Sequence, residues 1–250
     1  MCSLVVLRRP GDAFPVILAA NRDEMAGRPW RPPARHWEDR PHVFGGFDEA
    51  AGGTWLAMND DGVVAAVLNR HGTLGPAPGK RSRGELVLDA LDYADAAEAV
   101  RALVHLDPNA WRPFNLVILD DRDAFCVIHR GEGPIEAQPL PPGLSMITHA
   151  EPNDAGEPRI RMHRPRFAAA PDPDPAAGRW DAWQALLAST EHEPAAGPRG
   201  AMSFATPQGF GTSSSALIAL PPHGIADARP VWLFCAGRPG DAPWTTLDPA

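Results

Sequence analysis

The sequence predicts an α+β fold in which antiparallel hairpins and helices occupy separate stretches of the chain. Three pairs of short apolar runs are each joined by a brief turn rich in Pro, Gly or Asp, which is typical of antiparallel hairpins. Helical patterns occur in two separate regions, and further strands follow. Because strands and helices do not alternate regularly, a parallel sheet built from βαβ units is not predicted.

The predicted hairpins lie in the first half of the chain. The first joins residues 2–7 to residues 14–20, which places Cys2 beside residues 19–21 and next to the segment 21–24. The other two pair residues 53–58 with 63–69 and residues 115–119 with 124–129. The intervening residues 25–50 are rich in proline and are predicted to be irregular.

Helices are predicted where capping signals and helical spacing occur. Ser82 and Glu85 form a capping box ahead of a run of Leu and Val, so the first helix begins there. Three further helical stretches are predicted, at residues 95–106, 158–170 and 180–189. Strands are expected at 215–220 and 231–235, and the proline-rich residues 171–178 are predicted to be an internal loop. The whole chain, 1–250, is expected to form one domain.

Composition and charge narrow the class of protein. The 250 residues carry a net charge of −8, which argues against a dedicated nucleic-acid-binding protein because phosphate neutralisation needs a basic face. No apolar run approaches the roughly 20 residues that span a bilayer, so no transmembrane segment is expected. Three widely spaced cysteines favour neither a disulfide framework nor a metal site. We expect a soluble, cytoplasmic protein without a metal or other cofactor.

Cys2 carries the most distinctive chemistry. A small residue at position 2 favours removal of Met1, which would expose an N-terminal cysteine. An α-amine has an ordinary pKa of about 8 and a thiol one of about 8.5. The neutral amine would therefore serve as the base for the adjacent thiol, and one residue would be both nucleophile and activator. The alternative is that Cys2 is only a small residue in a strand.

The first hairpin brings four polar residues, 21–24, close to Cys2. The carboxylate of Asp23 would orient the amine, and Arg22 would lower the pKa of the thiol or bind a substrate carboxylate. Asn21 and Glu24 are expected to contact the substrate. The alternative is a solvated strand end that forms an Asx turn and a surface ion pair.

These motifs resemble the NRDE family, that of transport and Golgi organisation protein 2. The tetrad at 21–24 is the motif that names the family, and the likeness continues at residues 52–56, 69, 82–87, 114–116 and 209–212. The family is similar to N-terminal-nucleophile hydrolases of the choloylglycine hydrolase and penicillin V acylase type. This resemblance implies a four-layer αββα sandwich.

The resemblance to the acylases also implies roles for single residues. Asp23 stands at their amine-binding aspartate, and Asn69 stands at an asparagine that helps to form the oxyanion hole. His149 stands at a second asparagine and is expected to contact the substrate. The acylase arginine falls at Ala20, so Arg22 must substitute for it from the neighbouring position.

A further departure concerns the motif at residues 209–212. The NRDE family commonly has an arginine directly after Gly-x-Gly-Thr, but this chain has Ser213 there.

Two functions from different classes follow. The first is an amide (C–N) hydrolase or acyltransferase that uses Cys2 on a small acyl-amide. The alternative is a non-catalytic carrier that binds a hydrophobic ligand such as haem, a lipid or acyl-CoA, which the family's associations imply. A retained Met1 would favour the carrier.

Overall fold

A computed structural model describes residues 2–225 and 228–249 of the chain. Met1, whose removal is expected, lies outside the described residues. The chain divides into two compact units: Met1–Arg28 with Pro142–Asp248, and Pro29–Pro141 with Pro249–Ala250. In the described residues, each unit contains one antiparallel sheet and two α-helices.

The elements of the described residues are numbered in chain order. The strands are β1 (Ser3–Arg8), β2 (Val16–Met25), β3 (Trp30–Ala34), β4 (Val43–Asp48), β5 (Leu56–Asn59), β6 (Val64–Asn69), β7 (Phe114–Leu119), β8 (Ala124–His129), β9 (Glu136–Pro139), β10 (Gly143–Ile147), β11 (Phe210–Leu220), β12 (Val231–Cys235) and β13 (Trp244–Leu247). The helices are α1 (Arg83–Ala90), α2 (Ala96–Leu103), α3 (Pro158–Ala169) and α4 (Asp181–Leu187). Single 3-10 turns occur at Pro108–Ala110, Pro194–Ala196 and Pro198–Gly200.

The sheet of the first unit has the order β10-β1-β2-β11-β12-β13. Helix α3 packs on β10, and α4 packs on β2. Alternate residues of the central strands, including Val5, Ile17 and Leu217, form one apolar core with Phe167 and Trp183 of these helices. The cross-strand alternation therefore assigns one face of this sheet to α3 and α4.

The sheet of the second unit is a meander in which β3 to β9 pair in sequence order. Helices α1 and α2 pack on β6, β7 and β8. The predicted capping box of α1 is confirmed, since Ser82 accepts from the Gly84 N–H and Glu85 accepts from the Ser82 N–H. A Cβ on Gly53 would lie 2.6 Å from the carbonyl carbon of Gly84, so this close approach requires glycine.

The three predicted hairpins and the four predicted helices are confirmed, and both units are α+β. The prediction that residues 25–50 are irregular is wrong, because β3 and β4 lie there. Pro32 and Pro33 are accommodated in β3 since it is an edge strand, paired only with β4 and with a register shift between Arg31 and Ala34.

Strand β2 is longer than its apolar run indicates. The polar tetrad 21–24 lies within the strand and not beyond its end, because β11 pairs with β2 as far as Phe210 and Met25. Strand β11 accordingly begins five residues before the predicted start at 215. The short strands β9, β10 and β13 were not predicted, since they lie between Pro or Gly residues that usually mark loops.

Candidate active site

The register of β1 and β2 places Cys2 beside the tetrad. Ser3 pairs with Asn21, so Cys2, one residue before β1, lies opposite Arg22. The Sγ atom of Cys2 is 3.9 Å from the backbone oxygen of Asp23. The prediction that Cys2 lies within one ladder of residues 19–23 is confirmed.

Side-chain alternation divides these residues between the two faces of the sheet. Ser3, Asn21 and Asp23 share the face on which α3 and α4 pack, as their contacts below show. Arg22 lies between Asn21 and Asp23, so its side chain points to the opposite face. Cys2 lies one residue before β1, and the same alternation assigns its side chain to that opposite face too. The thiol therefore meets the backbone of Asp23 and not its carboxylate.

The carboxylate of Asp23 is closed off from solvent and is held from two directions. Nη1 of Arg159 donates to Oδ2 at 2.9 Å, and Oγ1 of Thr212 donates to Oδ1 at 2.9 Å. Thr212 lies on β11 and Arg159 lies in the first turn of α3. The aspartate is thus fixed by a neighbouring strand and by a helix on the same face.

Arg159 is the centre of this buried cluster. Its side chain is 1% exposed, and its Nη1 also donates to Oγ of Ser3 at 2.7 Å. Its Nη2 donates to the backbone oxygen of Arg199 at 2.6 Å, and the guanidinium lies over the ring of Phe204. Since Ser3 follows Cys2 directly, one nitrogen of Arg159 joins the two strands next to the position of Cys2.

Both polar atoms of the Asn21 side chain form hydrogen bonds inside the protein. Its Nδ2 donates to the backbone oxygens of Leu187 and Met202, each at 2.9 Å, and its Oδ1 accepts from Oγ of Ser215 at 2.6 Å. The side chain is also buried. This geometry favours a structural role, in which Asn21 ties the end of α4 to the sheet, over the predicted contact with substrate.

Arg22 lies at an irregularity of the sheet. The register between β2 and β11 shifts between Thr212 and Ser214, so Ser213 is an extra residue beside Arg22. Oγ of Ser213 donates to the backbone oxygen of Arg22 at 3.1 Å, and Nη1 of Arg22 donates to Oγ of Ser213 at 3.5 Å. The position at which the family commonly has arginine is therefore the bulge itself.

Glu24 and His149, two predicted substrate contacts, each lie beside another ionisable side chain. Oε1 of Glu24 accepts from the backbone N–H of Met25, and its Oε2 is 3.8 Å from Nε of Arg28. Nε2 of His149 is 3.3 Å from Oε2 of Glu157, the N-cap of α3. His149 follows β10 two residues after Ile147, the partner of Leu4, so the register carries it toward the Cys2 end of β1.

Burial raises the pKa of the Cys2 thiol above its ordinary value. The charge of Asp23 acts in the same direction, whereas Arg22 lowers the pKa. Cys2 as a whole residue is only partly buried, whereas Cys126 and Cys235 are buried. Because little thiolate exists at neutral pH in this environment, any nucleophilic role requires a base for the thiol proton.

Asn69, the predicted oxyanion donor, lies in the second unit. It is the last residue of β6 and pairs with Phe114 of β7. Its side chain is half-buried, whereas the residues before it form an apolar strand. Its predicted role stays a prediction.

Arg159 is the main residue of the cluster that sequence reasoning did not single out. The buried face of α3 consists of Arg159, Ile160, His163 and Phe167. The spacing of Ile160 and Phe167 marks this face in the sequence and places Arg159 beside it. A long charged side chain on the helical face that carries Ile160 and Phe167 was the available signal.

Among residues 2–225 and 228–249, no three His, Cys, Asp or Glu side chains are grouped so that they could hold a metal ion. Within the same ranges, none of the helices has the length and apolar character needed to cross a membrane.

A family model described as Transport and Golgi organisation 2 matches residues 1–196. The chain belongs to this family. Its relatives include the Transport and Golgi organization 2 homolog of Mus musculus and the corresponding protein of Homo sapiens, each 34% identical over 145 residues. These matches cover 54% of this chain and 51% of each relative, so the chain spans about half the length of the curated relatives it matches.

Solved structures of other proteins show the fold of this family member. A Caenorhabditis elegans N-acylethanolamine-hydrolyzing acid amidase ortholog aligns over 99% of this chain and all of its own, with a TM-score of 0.58 and 13% identity. A Clostridium perfringens conjugated bile acid hydrolase, in its C2A form, aligns over 99% and 92%, with a TM-score of 0.53 and 12% identity. The predicted α+β sandwich of the N-terminal-nucleophile hydrolase type is therefore confirmed.

Proposed function

We propose that this protein is an amide hydrolase or acyltransferase in which Cys2, exposed by removal of Met1, is the nucleophile. The observation that carries the proposal is the place of Cys2. Its Sγ lies 3.9 Å from the backbone of Asp23, at the end of a strand held by a buried polar cluster. A cysteine that is only partly buried and stands on so firmly held a strand is suited to react with a bound carbonyl.

The proposed reaction uses the amine of Cys2 as the base. The thiol proton moves to the amine, and sulfur attacks the carbonyl carbon of an acyl-amide. The resulting tetrahedral oxyanion collapses, the C–N bond breaks, and the leaving nitrogen takes the proton from the Cys2 ammonium group. Water then hydrolyses the thioester on Cys2, or a second amine or alcohol accepts the acyl group.

The remaining roles are proposed for three residues. Asp23 positions the amine of Cys2, and its double anchoring by Arg159 and Thr212 supports this role. Asn69 donates its amide to the oxyanion, as the resemblance to the acylases implies. Arg22 shares the face of Cys2, lowers the pKa of the thiol and binds an anionic group of the substrate.

Similar folds in known hydrolases support the proposal. The fold is shared with an N-acylethanolamine-hydrolyzing amidase and with a conjugated bile acid hydrolase. The bile acid hydrolase structure is of a variant that has alanine in place of cysteine at position 2, so that enzyme has a cysteine at the same position. We also propose a reducing, cytoplasmic location, which suits three free cysteines.

The test is a panel of acyl-amides assayed with the parent protein, Cys2→Ala and Asn69→Ala, with ligand binding measured in parallel. We expect Cys2→Ala to abolish turnover and Asn69→Ala to lower it by about a hundredfold or more, with little change in affinity. Cys235→Ala, in the same sheet as Cys2, is the matched control and should retain activity. Turnover that survives both site substitutions would refute the assignment.

The carrier hypothesis predicts another outcome of the same experiment. The parent protein would turn over no substrate on the panel and would still bind a hydrophobic ligand such as haem or acyl-CoA.

A further inference from the structure

A single buried arginine connects the strand that carries Cys2 to the strand that carries Asp23. Nη1 of Arg159 donates both to Oγ of Ser3 and to Oδ2 of Asp23, at 2.7 and 2.9 Å. Ser3 is covalently next to Cys2, and the backbone oxygen of Asp23 is the contact of the Cys2 thiol. The guanidinium therefore touches the residue that follows Cys2 on one strand and, on the other strand, the residue whose backbone contacts the thiol.

Arg159 is itself held rigidly. Its Nη2 donates to the backbone oxygen of Arg199, and its guanidinium lies 5.4 Å from the centre of the Phe204 ring. The flat guanidinium group can make these contacts at once because its donors point in fixed directions, which a lysine ammonium group cannot reproduce. The helix that carries Arg159 also places Glu157 against His149.

Arg159 lies on the opposite side of the sheet from Cys2, so it does not contact the reacting thiol directly. It lies on the α3 side with Ser3 and Asp23, whereas the strand alternation assigns Cys2 and Arg22 to the opposite face. Arg159 therefore reaches Cys2 only through the residues it holds. Its charge also compensates the Asp23 carboxylate, which would otherwise oppose thiolate formation at Cys2.

We propose that Arg159 is a positioning residue that fixes Cys2 through Ser3 and Asp23. This inference rests on the proposed function, because it treats Cys2 as the reacting group. The first turn of α3 would then position Cys2, a role that neither the NRDE tetrad nor the Gly-x-Gly-Thr motif fulfils alone.

The experiment measures the alkylation rate of Cys2 by iodoacetamide as a function of pH, resolved from Cys126 and Cys235 by peptide mass spectrometry. Arg159→Met leaves the charge of Asp23 uncompensated, so the midpoint pH of Cys2 alkylation should rise by about one unit. Arg159→Lys should shift it less, in the same direction. Arg161→Met, on an exposed arginine of the same helix that pairs with Glu193, is the matched control and should leave the profile unchanged.

The proposal is overturned if folded Arg159→Met alkylates with the rate and midpoint of the parent. If Arg159→Met does not fold, Arg159→Lys decides, because it keeps the charge and loses the fixed geometry; a profile equal to that of the parent contradicts the proposal. In an Asp23→Asn background Arg159→Lys should have little further effect. An effect as large as in the parent would show that Arg159 does not act through Asp23.

The proposed function and the role of Arg159 are tested by different measurements, so either one can be refuted without the other. A parent protein that turns over no acyl-amide would refute the hydrolase, whereas the alkylation profiles would still report whether Arg159 controls the thiol.

Discussion

Asp23 and Arg159 form an ion pair, 2.9 Å between Oδ2 and Nη1, in which both side chains are sealed from solvent. They are 136 residues apart in the chain, so the pair joins the NRDE tetrad to a helix outside every motif of the family quoted above. A buried ion pair contributes little net stability compared with apolar residues of similar size in its place. Loss of one partner, however, leaves the other charge buried without compensation. A substitution of either Asp23 or Arg159 should therefore destabilise the structure around Cys2.

The first prediction concerns the stability of this pair. Asp23→Asn or Arg159→Met should each lower the free energy of unfolding by about 3–5 kcal/mol, because each leaves an uncompensated buried group. The double variant should be more stable than the sum of the two losses predicts. Urea unfolding of the four proteins measures this coupling, and strictly additive losses would contradict the geometry described.

The second prediction concerns the pH dependence of folding. His163 is fully buried on α3, and burial, followed by the charges of Arg166 and Arg159, lowers its pKa to about 4. The backbone carbonyls of Glu191 and Gly200 act in the opposite direction without reversing the shift. The folded state therefore keeps His163 neutral at pH values where the unfolded chain already binds a proton.

The sign of the effect follows from this difference. Stability is complete above pH 6.5 and falls as the pH decreases toward 4, by about 3 kcal/mol in total from His163. His163→Gln should remove this part of the acid sensitivity. Thermal or urea unfolding at pH 7, 5.5 and 4 measures it, and an equally steep loss in the variant would count against His163.

The third prediction separates structure from substrate binding at Asn21. Asn21→Ala removes the hydrogen-bond donor to the carbonyls of Leu187 and Met202, and it removes the acceptor of the Ser215 hydroxyl. We expect a loss of about 3 kcal/mol in unfolding free energy, with ligand affinity of the folded protein unchanged. Asn109→Ala, at an exposed asparagine, is the control. A selective loss of affinity at full stability would instead establish Asn21 as a substrate contact.

The fourth prediction concerns the glycine before Thr212. A Cβ at Gly211 would lie 2.4 Å from the backbone oxygen of Phe204, so Gly211→Ala must displace the backbone that positions Thr212. Because Thr212 donates to Asp23, the substitution should lower both stability and Cys2 reactivity. Gly27→Ala, where nothing lies within 4 Å of the added carbon, should leave both unchanged. Equal behaviour of the two variants would contradict the assigned role of Gly211.

Local signals in the sequence predicted much of the fold. The capping box at Ser82 begins α1, and the short turn after β1 sets the hairpin that brings Cys2 to Asp23. Strand β3 was missed because prolines usually break strands, and only its place at a sheet edge makes them tolerable. That place depends on long-range pairing, which local patterns do not contain.

The candidate site could be predicted only in part. The NRDE motif located Asp23, and its proximity to Cys2 is confirmed. The direction of each side chain could not be predicted, because the apolar run before Asn21 is buried at every position and shows no alternation. The partnership with Arg159 requires that α3 packs on the same face, which is a property of the tertiary structure.

The central claim is that Cys2 acts as an N-terminal nucleophile, and the mass of the N-terminal peptide tests it most directly. The account predicts that the purified protein begins at Cys2, with a free α-amine beside the thiol. A protein that retains Met1 in full would have no such amine, and that result would contradict the proposed mechanism.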